Sequence, residues 1–68
     1  MKYAVVDISL DHRVDDEWIM FESDNLEEAK ASARDFDYIN KRDNNKSKTI
    51  LVVKSEWEEG NYTPIDFK

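Results

Sequence analysis

The 68-residue sequence contains no cysteine, so neither a disulfide nor a thiolate-bound metal can stabilise its fold. Glycine and proline occur once each, at Gly60 and Pro64, and 40% of the residues are hydrophobic, which disfavours a disordered chain. No apolar run approaches the roughly 20 residues that a membrane helix needs. A chain of this length forms one domain, residues 1–68, and must bury a compact core by itself or associate with another chain.

Basic residues are also scarce, since 10 Lys and Arg side chains stand against 16 acidic ones and the net charge is −6. The densest basic segment, KRDNNKSK at residues 41–48, has Asp43 inside it. Direct binding to nucleic acid is therefore not expected, because it relies on clustered Lys and Arg. The N-terminal segment MKYAVVDISLDHR has no small-residue cleavage site and alternates as a strand does, so we expect a cytoplasmic protein that does not bind membranes.

Alternation of apolar and polar residues predicts three strands, at residues 2–10, 18–23 and 48–57. A helix is predicted between the last two, because Asp24 is a good N-cap, Glu27 completes a capping box, and the asparagines near residue 45 favour its end. The tail at residues 62–68 alternates again, but Pro64 restricts it to an edge strand or a draped segment. One side of the helix carries a stripe of mostly small residues: Leu26, Ala29, Ala33, Phe36 and Asn40.

The order β-β-α-β predicts an α+β two-layer sandwich, in which one helix packs on an antiparallel or mixed sheet of three or four strands. We expect the strand order 2-1-3, with the third strand antiparallel to the first. The helix stripe is expected to cover one face of the sheet, which is formed by Ala4, Val6, Ile8, Ile19, Phe21, Leu51 and Val53.

The same alternation predicts an apolar patch on the opposite sheet face, where a solvated sheet would have polar residues. Three interpretations of this patch are open: the tail covers it with Tyr62, Ile65 and Phe67, a second copy of the chain pairs with it in a homodimer, or another protein docks on it. Its members are the candidate protein-contact residues, with Trp18 as the anchor: Tyr3, Val5, Trp18, Met20, Ile50 and Val52.

The only histidine, His12, lies in a polar connector with Asp11, Asp15, Asp16 and Glu17. These residues form either a carboxylate-rich cation site or a solvated hairpin loop, and the lack of glycine and of calcium-ligand spacing favours the loop. The sequence offers no Ser-His-Asp or Cys-His set and no glycine-rich phosphate loop. We therefore predict no catalytic residues, no cofactor, no metal site and no enzymatic activity.

These features favour a non-enzymatic module for protein interaction or self-association. The alternative is an acidic inhibitor or nucleic-acid mimic that fills the basic groove of a partner, with an attraction that falls steeply in salt. Its carboxylates would come from the helix and from the segment that follows the third strand: Glu27, Glu28, Asp35, Asp37, Glu58 and Glu59.

The β-β-α-β order, with a helix that begins DNLEEAKASA soon after an aromatic-rich strand, resembles the small acidic orphan proteins common in low-GC Gram-positive bacteria and their mobile elements. The resemblance covers most of the chain and implies a bacterial or phage source. Those proteins are largely uncharacterised, so the resemblance implies no catalytic or binding residues.

Overall fold

A computed structural model describes residues 1–9 and 17–68, and for Ser9, Glu17 and Trp18 it describes the backbone alone. The strands lie in an antiparallel sheet of order β2-β1-β3. The predicted α+β class, the β-β-α-β order and the central position of the first strand are therefore confirmed. The elements are the strands β1 (Tyr3–Ser9), β2 (Glu17–Ser23) and β3 (Ser47–Val53) and the helices α1 (Leu26–Arg42) and α2 (Lys54–Glu59).

The long helix α1 packs on the sheet through the stripe that the sequence predicts. Ala29 and Ala33 are fully buried, and Asn40 is buried at the C-terminal end of the same side. Because these side chains are short, the helix lies close to the sheet, and it contacts all three strands. The helix begins one residue later than predicted, since Asn25 is the N-cap and its side chain accepts from the backbone N–H of Glu28 at 3.1 Å.

The end of α1 is built from asparagines, as the sequence indicates. Asn44 adopts a left-handed φ of 55°, a conformation that Asn tolerates better than most residues. The backbone N–H of Asn45 donates to the carbonyl of Asn40 at 2.9 Å, which closes the last turn. The chain then reverses into β3 at Ser47.

β1 turns toward α1 the opposite set of side chains from the one predicted. Val5 packs against α1 together with Leu51, whereas Ala4 and Val6 belong to a cluster on the other face of the sheet. The prediction was wrong because β1 is buried on both faces, so that neither of its two alternating sets stands out as the helix side. Asp7, which the pattern placed on the far side, is buried on the α1 side.

A β-bulge in β2 separates Ile19 from Phe21. Val5 pairs with Phe21, and the next residue of β1, Val6, pairs with Ile19, so Met20 is an extra residue in the ladder. Strict alternation had placed Ile19 and Phe21 on one face. The bulge instead puts Phe21 in the α1-side core and Ile19 in the cluster on the opposite face.

The sheet face opposite α1 is covered by the chain itself. Trp57 of α2 and Tyr62 pack on this face with their ring centroids 4.8 Å apart and their planes tilted by 50°. Tyr62 thus covers the face as one interpretation of the sequence expected, whereas Ile65 and Phe67 pack on the α1 side instead. The central residues of the covered face are at most 5% exposed: Ala4, Val6, Ile50 and Val52.

The third strand ends at Val53, and not at Trp57 as predicted, because the chain turns into α2. Gly60 ends this helix with a φ of 76°, its N–H donates to the carbonyl of Trp57 at 3.1 Å, and the N–H of Asn61 donates to the carbonyl of Glu56 at 3.0 Å. This C-terminal turn needs a positive φ, which glycine adopts without strain. The sequence contained this signal, since its only glycine follows six residues in which strand alternation has stopped.

The C-terminal tail is a draped segment that completes the α1-side core. In the described part of the chain, the N–H of Ile65 in the tail donates to the carbonyl of Leu51 at the edge of β3, at 2.7 Å. Phe67 then inserts beneath α1, where it is 8% exposed, and its carbonyl accepts from Arg34 Nη1 at 3.0 Å. The tail is therefore part of the folded core.

An ion pair joins β2 to the start of α2, since Lys54 Nζ lies 2.8 Å from Glu22 Oε1. The hydrogen bond from Lys54 lowers the pKa of Glu22, and the same bond raises the pKa of Lys54. Because the folded-state pKa of Glu22 is lowered, the contribution of the pair to stability is present above the ordinary pKa of Glu22. That contribution is lost as the pH falls through the lowered value.

Replacing Phe67 by Ala should lower the free energy of unfolding by about 3 kcal/mol, because a buried aromatic ring leaves a cavity in the α1-side core. Urea denaturation at constant pH measures this change. Tyr38→Ala is the matched control, since Tyr38 is 63% exposed and its loss should cost about 0.5 kcal/mol or less. Equal effects of the two substitutions would contradict the insertion of the tail into the core.

Replacing Lys54 by Gln should raise the pKa of Glu22 toward its ordinary value, because the amide removes the cation that stabilises the carboxylate. NMR titration of the Glu22 side-chain carboxyl carbon measures the pKa directly. The variant should also lose less stability than the wild-type protein as the pH falls through the acid range. Lys46→Gln, at an exposed position, should leave the pKa of Glu22 unchanged; an unchanged value in Lys54→Gln would show that the ion pair does not persist in solution.

Candidate functional site

The residues predicted to make protein contacts do not form one open surface. Tyr3 and Val5 of β1 lie on the α1 side, and Val5 is fully buried there. Ile50 and Val52 of β3 lie on the opposite face, where Trp57 packs over their cluster. The four residues are thus divided between the two faces of the sheet, because β1 and β3 pair with Val5 beside Leu51 and not beside Ile50 or Val52.

The other two predicted contact residues come from β2. Met20 is the extra residue of the bulge, and it is 37% exposed. The backbone of Trp18 pairs with Asp7, and its side chain lies outside the described residues. The anchor role of Trp18 stays a prediction, but the continuous apolar patch that was predicted around it is replaced by two closed cores.

The polar connector proposed as a cation site, with Asp11, His12, Asp15 and Asp16, lies outside the described residues, as does the side chain of Glu17. Within residues 1–9 and 17–68, no group of three or more His, Cys, Asp and Glu side chains is placed to hold a metal ion. In that same part of the chain, neither helix combines the length and the apolar character needed to cross a membrane.

The carboxylates of the predicted acidic mimic are divided between two sides of the molecule. Glu27, Glu28 and Asp35 are exposed on α1, whereas Glu58 and Glu59 are exposed on α2. The two helices cover opposite faces of the sheet. These carboxylates therefore do not form a single acidic surface.

A groove of about 390 Å³ runs between β3, the C-terminal half of α1 and the tail. It is lined by residues within 37–41, 47–51 and 64–68, and we call it the β3 groove. Its apolar lining includes Leu51, Ile65 and Phe67, and hydroxyl groups of Ser47 and Thr49 lie along the strand. The groove thus combines apolar contacts with a polar strand edge.

β3 is an edge strand, so alternate residues direct their backbone groups away from the sheet. The N–H of Lys54 donates to the carbonyl of Lys2 at 2.9 Å, which implies that residues 48, 50 and 52 are turned toward β1. Residues 47, 49 and 51 are then turned outward, and the bond that the Leu51 carbonyl accepts from Ile65 agrees with this orientation. The N–H and C=O groups of Ser47 and Thr49 therefore point away from β1 on the groove side.

Charged residues of both signs line the β3 groove. They are Lys41, Lys48, Lys68 and Asp37, and the side chain of Lys48 belongs to the set of β3 that faces away from α1 with Ile50 and Val52. Lys41 Nζ lies 3.0 Å from Asp37 Oδ2, and this hydrogen bond raises the pKa of Lys41. This pair is neutral as a whole, and the carboxylate of Asp7 bonds to Asn40 and Thr49 of the groove lining, so charges of both signs surround the groove.

A buried polar network lies at the base of the groove, where β1, β3 and α1 meet. Thr49 Oγ1 donates to Asp7 Oδ1 at 2.8 Å, and Asn40 Nδ2 donates to Asp7 Oδ2 at 3.2 Å and to Thr49 Oγ1 at 2.9 Å. Asn45 Nδ2 donates to Asn40 Oδ1 at 3.1 Å. In the described part of the chain, no buried side-chain nitrogen or oxygen lacks a hydrogen-bond partner. The network fixes the register of β1 against β3 and ties the end of α1 to both strands.

A second depression, of about 590 Å³, lies beside α2 and is lined in part by Ile19, Trp57 and Tyr62. Its two aromatic rings already pack against each other and against the sheet. Those rings are engaged in covering the core, so we assign no ligand to this depression.

The separate parts of the β3 groove are recognisable in the sequence. They are the basic segment at residues 41–48, the draped tail and a strand order that makes the third strand an edge. Together these three features would have indicated a groove along the third strand. What the sequence did not contain is the path of the tail, which meets the edge of β3 at Leu51 and then turns beneath α1.

Comparison of the chain with protein-family models, with curated proteins and with solved structures found no match. The resemblance to small acidic bacterial and phage proteins stays a prediction.

Replacing Thr49 by Val should lower the free energy of unfolding by about 2 kcal/mol, because the buried carboxylate of Asp7 loses a hydrogen-bond donor at nearly constant side-chain volume. Urea denaturation at neutral pH measures this change. Thr63→Val is the matched control, because Thr63 is exposed and the same substitution there should change stability by about 0.5 kcal/mol or less. A cost no larger than that of the control would show that the network does not stabilise the fold.

Proposed function

We propose that this chain is a non-enzymatic module that acts by binding another protein, and that the β3 groove is its binding site. The observation that carries the proposal is the outward edge of β3 between the end of α1 and the tail. Edge strands that present backbone N–H and C=O groups bind extended segments of other proteins, and neighbouring pockets receive alternate side chains of the bound segment. The β3 groove offers such a pocket, with an apolar lining from Leu51, Ile65 and Phe67.

A foreign partner fits the structure better than the homodimer that the sequence pattern suggested. That dimer depended on an apolar sheet face, and Trp57 and Tyr62 cover this face within the chain. The β3 groove is the place where apolar lining, backbone hydrogen-bonding groups and charge come together. A binding role needs these three elements, and it needs no reactive group.

The proposal is tested by filling the groove with a bulky side chain. Ser47 is half-buried at the start of β3 and lines the groove, so Ser47→Phe should obstruct it with little effect on the core. Ser55 is exposed on α2, on the other side of the sheet, and Ser55→Phe is the matched control. The thermal midpoints of the two variants establish that both remain folded.

Random peptides displayed on phage and selected against the wild-type protein should yield binders that also bind Ser55→Phe. Their affinity for Ser47→Phe should fall at least about tenfold, which corresponds to about 1.4 kcal/mol. Light scattering after size exclusion, over a hundredfold range of concentration, establishes whether a second copy fills the groove. A dimer that dissociates in the Ser47→Phe variant would also support a contact role. The proposal would be refuted if no peptide bound in a way that Ser47→Phe weakens and no dimer formed.

A further inference from the structure

We propose that the tail is a built-in ligand of the protein, and that a partner binds by putting an extended segment of the same pattern in its place: an aliphatic residue and, two positions later, an aromatic residue. This inference rests on the proposed function, in which Ile65 and Phe67 form one wall of the β3 groove. It adds that the partner displaces this wall. The observation that carries it is the way in which the tail itself is held.

The tail is held as an extended peptide is held at the edge of a sheet. The N–H of Ile65 donates to the carbonyl of Leu51 at 2.7 Å, and the carbonyl of Phe67 accepts from Arg34 Nη1 at 3.0 Å. The side chains of Ile65 and Phe67 both pack on the α1-side core, whereas Asp66 between them is exposed. We call the place that these two side chains fill, beside Leu51 and Arg34, the tail site.

The contacts of the tail site define the chemistry that it accepts. Both hydrogen bonds use backbone groups of the tail, so they do not depend on which side chains the bound segment carries. Selectivity comes from the two packed side chains, of which Phe67 is 8% exposed. The site therefore selects an aliphatic residue, then any residue, then an aromatic residue, and it sets no requirement on charge.

Few backbone hydrogen bonds join the tail to the rest of the fold. In the described part of the chain, one backbone–backbone bond links residues 62–68 to other segments, whereas β1 and β3 pair along the whole of Tyr3–Ser9. Asn61, Thr63 and Pro64, which lead to Ile65, are exposed. Segments held in this way open locally without unfolding of the whole domain. The tail can therefore leave its site while the sheet stays paired.

Displacement of the tail leaves the other contacts of the fold in place. Tyr62 remains on the opposite sheet face with Trp57, and the hydrogen bonds among Asp7, Asn40 and Thr49 involve no residue of the tail. The α1-side core opens only where the tail site lies. An aromatic side chain of the partner closes it again.

The tail runs antiparallel to β3. Ile65 bonds to Leu51 in the second half of the strand, and Lys68 lines the groove with Lys41, at the end of α1 from which the chain reverses into β3. Residues that face each other in antiparallel strands have side chains on the same side of the sheet. Leu51 faces α1, so the spacing of Ile65 and Phe67 is the spacing that a longer paired strand needs to reach the same core.

A partner segment gains hydrogen bonds that the tail does not make. The tail bonds to the edge at Leu51, and the backbone groups of Ser47 and Thr49 stay turned toward the groove. A segment that continues along β3 to Ser47 pairs with these groups and keeps its aromatic residue opposite Thr49, on the α1 side. A tethered tail has a high effective concentration, so a free segment needs such additional bonds to displace it.

The tail of a second copy is a poorer occupant of the tail site. When two copies exchange tails, each tail makes in the other copy the contacts that it makes in the monomer. The exchange adds no bond to Ser47 or Thr49, so a foreign segment that follows β3 is the better occupant.

Two matched peptides test the pattern. Ile-Thr-Phe-Thr-Val places its aromatic residue opposite Thr49 when its isoleucine lies opposite Leu51, and Ile-Phe-Thr-Thr-Val has the same composition with the aromatic residue moved by one position. Fluorescence anisotropy with the full wild-type chain measures both affinities. We expect the first peptide to bind at least about tenfold more tightly, because the shift turns the aromatic ring away from the core. Ser47→Phe should weaken the first peptide at least about tenfold.

A weaker hold on the tail should strengthen binding of the first peptide. Phe67→Ala removes the competing aromatic ring and should raise the affinity at least about tenfold, and Phe67→Leu, which keeps a buried apolar side chain, should raise it about threefold. Val52→Ala is the matched control, since Val52 is fully buried on the opposite face. It should alter the affinity less than about twofold. Thermal midpoints establish which variants are folded, and Phe67→Leu supplies the test if Phe67→Ala is unfolded.

Hydrogen exchange of single amides tests the displacement itself. When the first peptide binds to the wild-type chain, the amide of Ile65 should lose protection as the tail leaves the edge. The outward amides of Ser47 and Thr49 should gain protection, while the amides of Lys48 and Ile50, which already bond to β1, should change little.

Retained protection of Ile65 in the bound state would overturn the displacement. Equal affinity for the two peptides would overturn it too, and so would an affinity that neither folded Phe67 variant changes. A wild-type dimer that dissociates in the Phe67→Leu variant would assign the tail site to a second copy and overturn the foreign partner. In each of these cases, peptide binding that Ser47→Phe weakens would leave the proposed function standing, whereas loss of all such binding would refute both.

Discussion

The structure depends on one strand that is buried on both faces. Ala4, Val5 and Val6 are fully buried, and Asp7 is 6% exposed, so every side chain in the middle of β1 needs a neighbour within the chain. A 17-residue helix can cover only one face of the sheet. The remainder of the chain therefore completes the core. Trp57 of α2 and Tyr62 cover the opposite face around Val6, and the tail packs beside Leu51 on the α1 side. A chain of 68 residues reaches a closed core on both faces only because its C-terminal segment divides between them.

The same constraint explains the polar network. Asp7 lies in the buried part of β1, on the side that faces α1, and a buried carboxylate is costly unless its oxygens accept hydrogen bonds. Thr49 and Asn40 supply these bonds, and Asn45 in turn satisfies Asn40. The network therefore couples three elements at one point, directly beneath the groove. A rigid base of this kind favours a groove that is largely formed before a ligand arrives.

The β3 groove is a consequence of how the tail is routed. Had the tail continued along β3 as a fourth strand, the edge would be paired and the groove would not exist. Pro64 has no N–H group and cannot donate a hydrogen bond to a neighbouring strand. Phe67 also buries more apolar surface in the core, where it is 8% exposed, than it would along a strand edge. The tail therefore contacts the edge at Leu51 and leaves the first half of the strand beside the basic end of α1.

The features predicted correctly are those that depend on neighbours in sequence. The stripe of Ala29 and Ala33 on α1, the left-handed asparagine after it and the draping imposed by Pro64 all follow from local spacing and backbone preference. The groove required the positions of three separate segments, and local patterns contain no information on how such segments meet. The placement of the predicted contact residues on one face was wrong for the same reason, since Val5 and Ile50 were assigned to that face by alternation alone.

The sequence by itself determined the fold class, the order of the elements and the side of α1 that is buried, because helix periodicity and strand alternation are local properties of the chain. The tertiary structure alone decided which face of β1 meets the helix, because both of its alternating sets are apolar and the hydrogen bonds of Asp7 select between them. It also decided that Met20 is an extra residue in β2. The bulge at this point shifts the alternation of β2 by one residue, and pairing with β1 fixes its position. The site follows these tertiary choices, since a groove is a relation between elements and belongs to none of them alone.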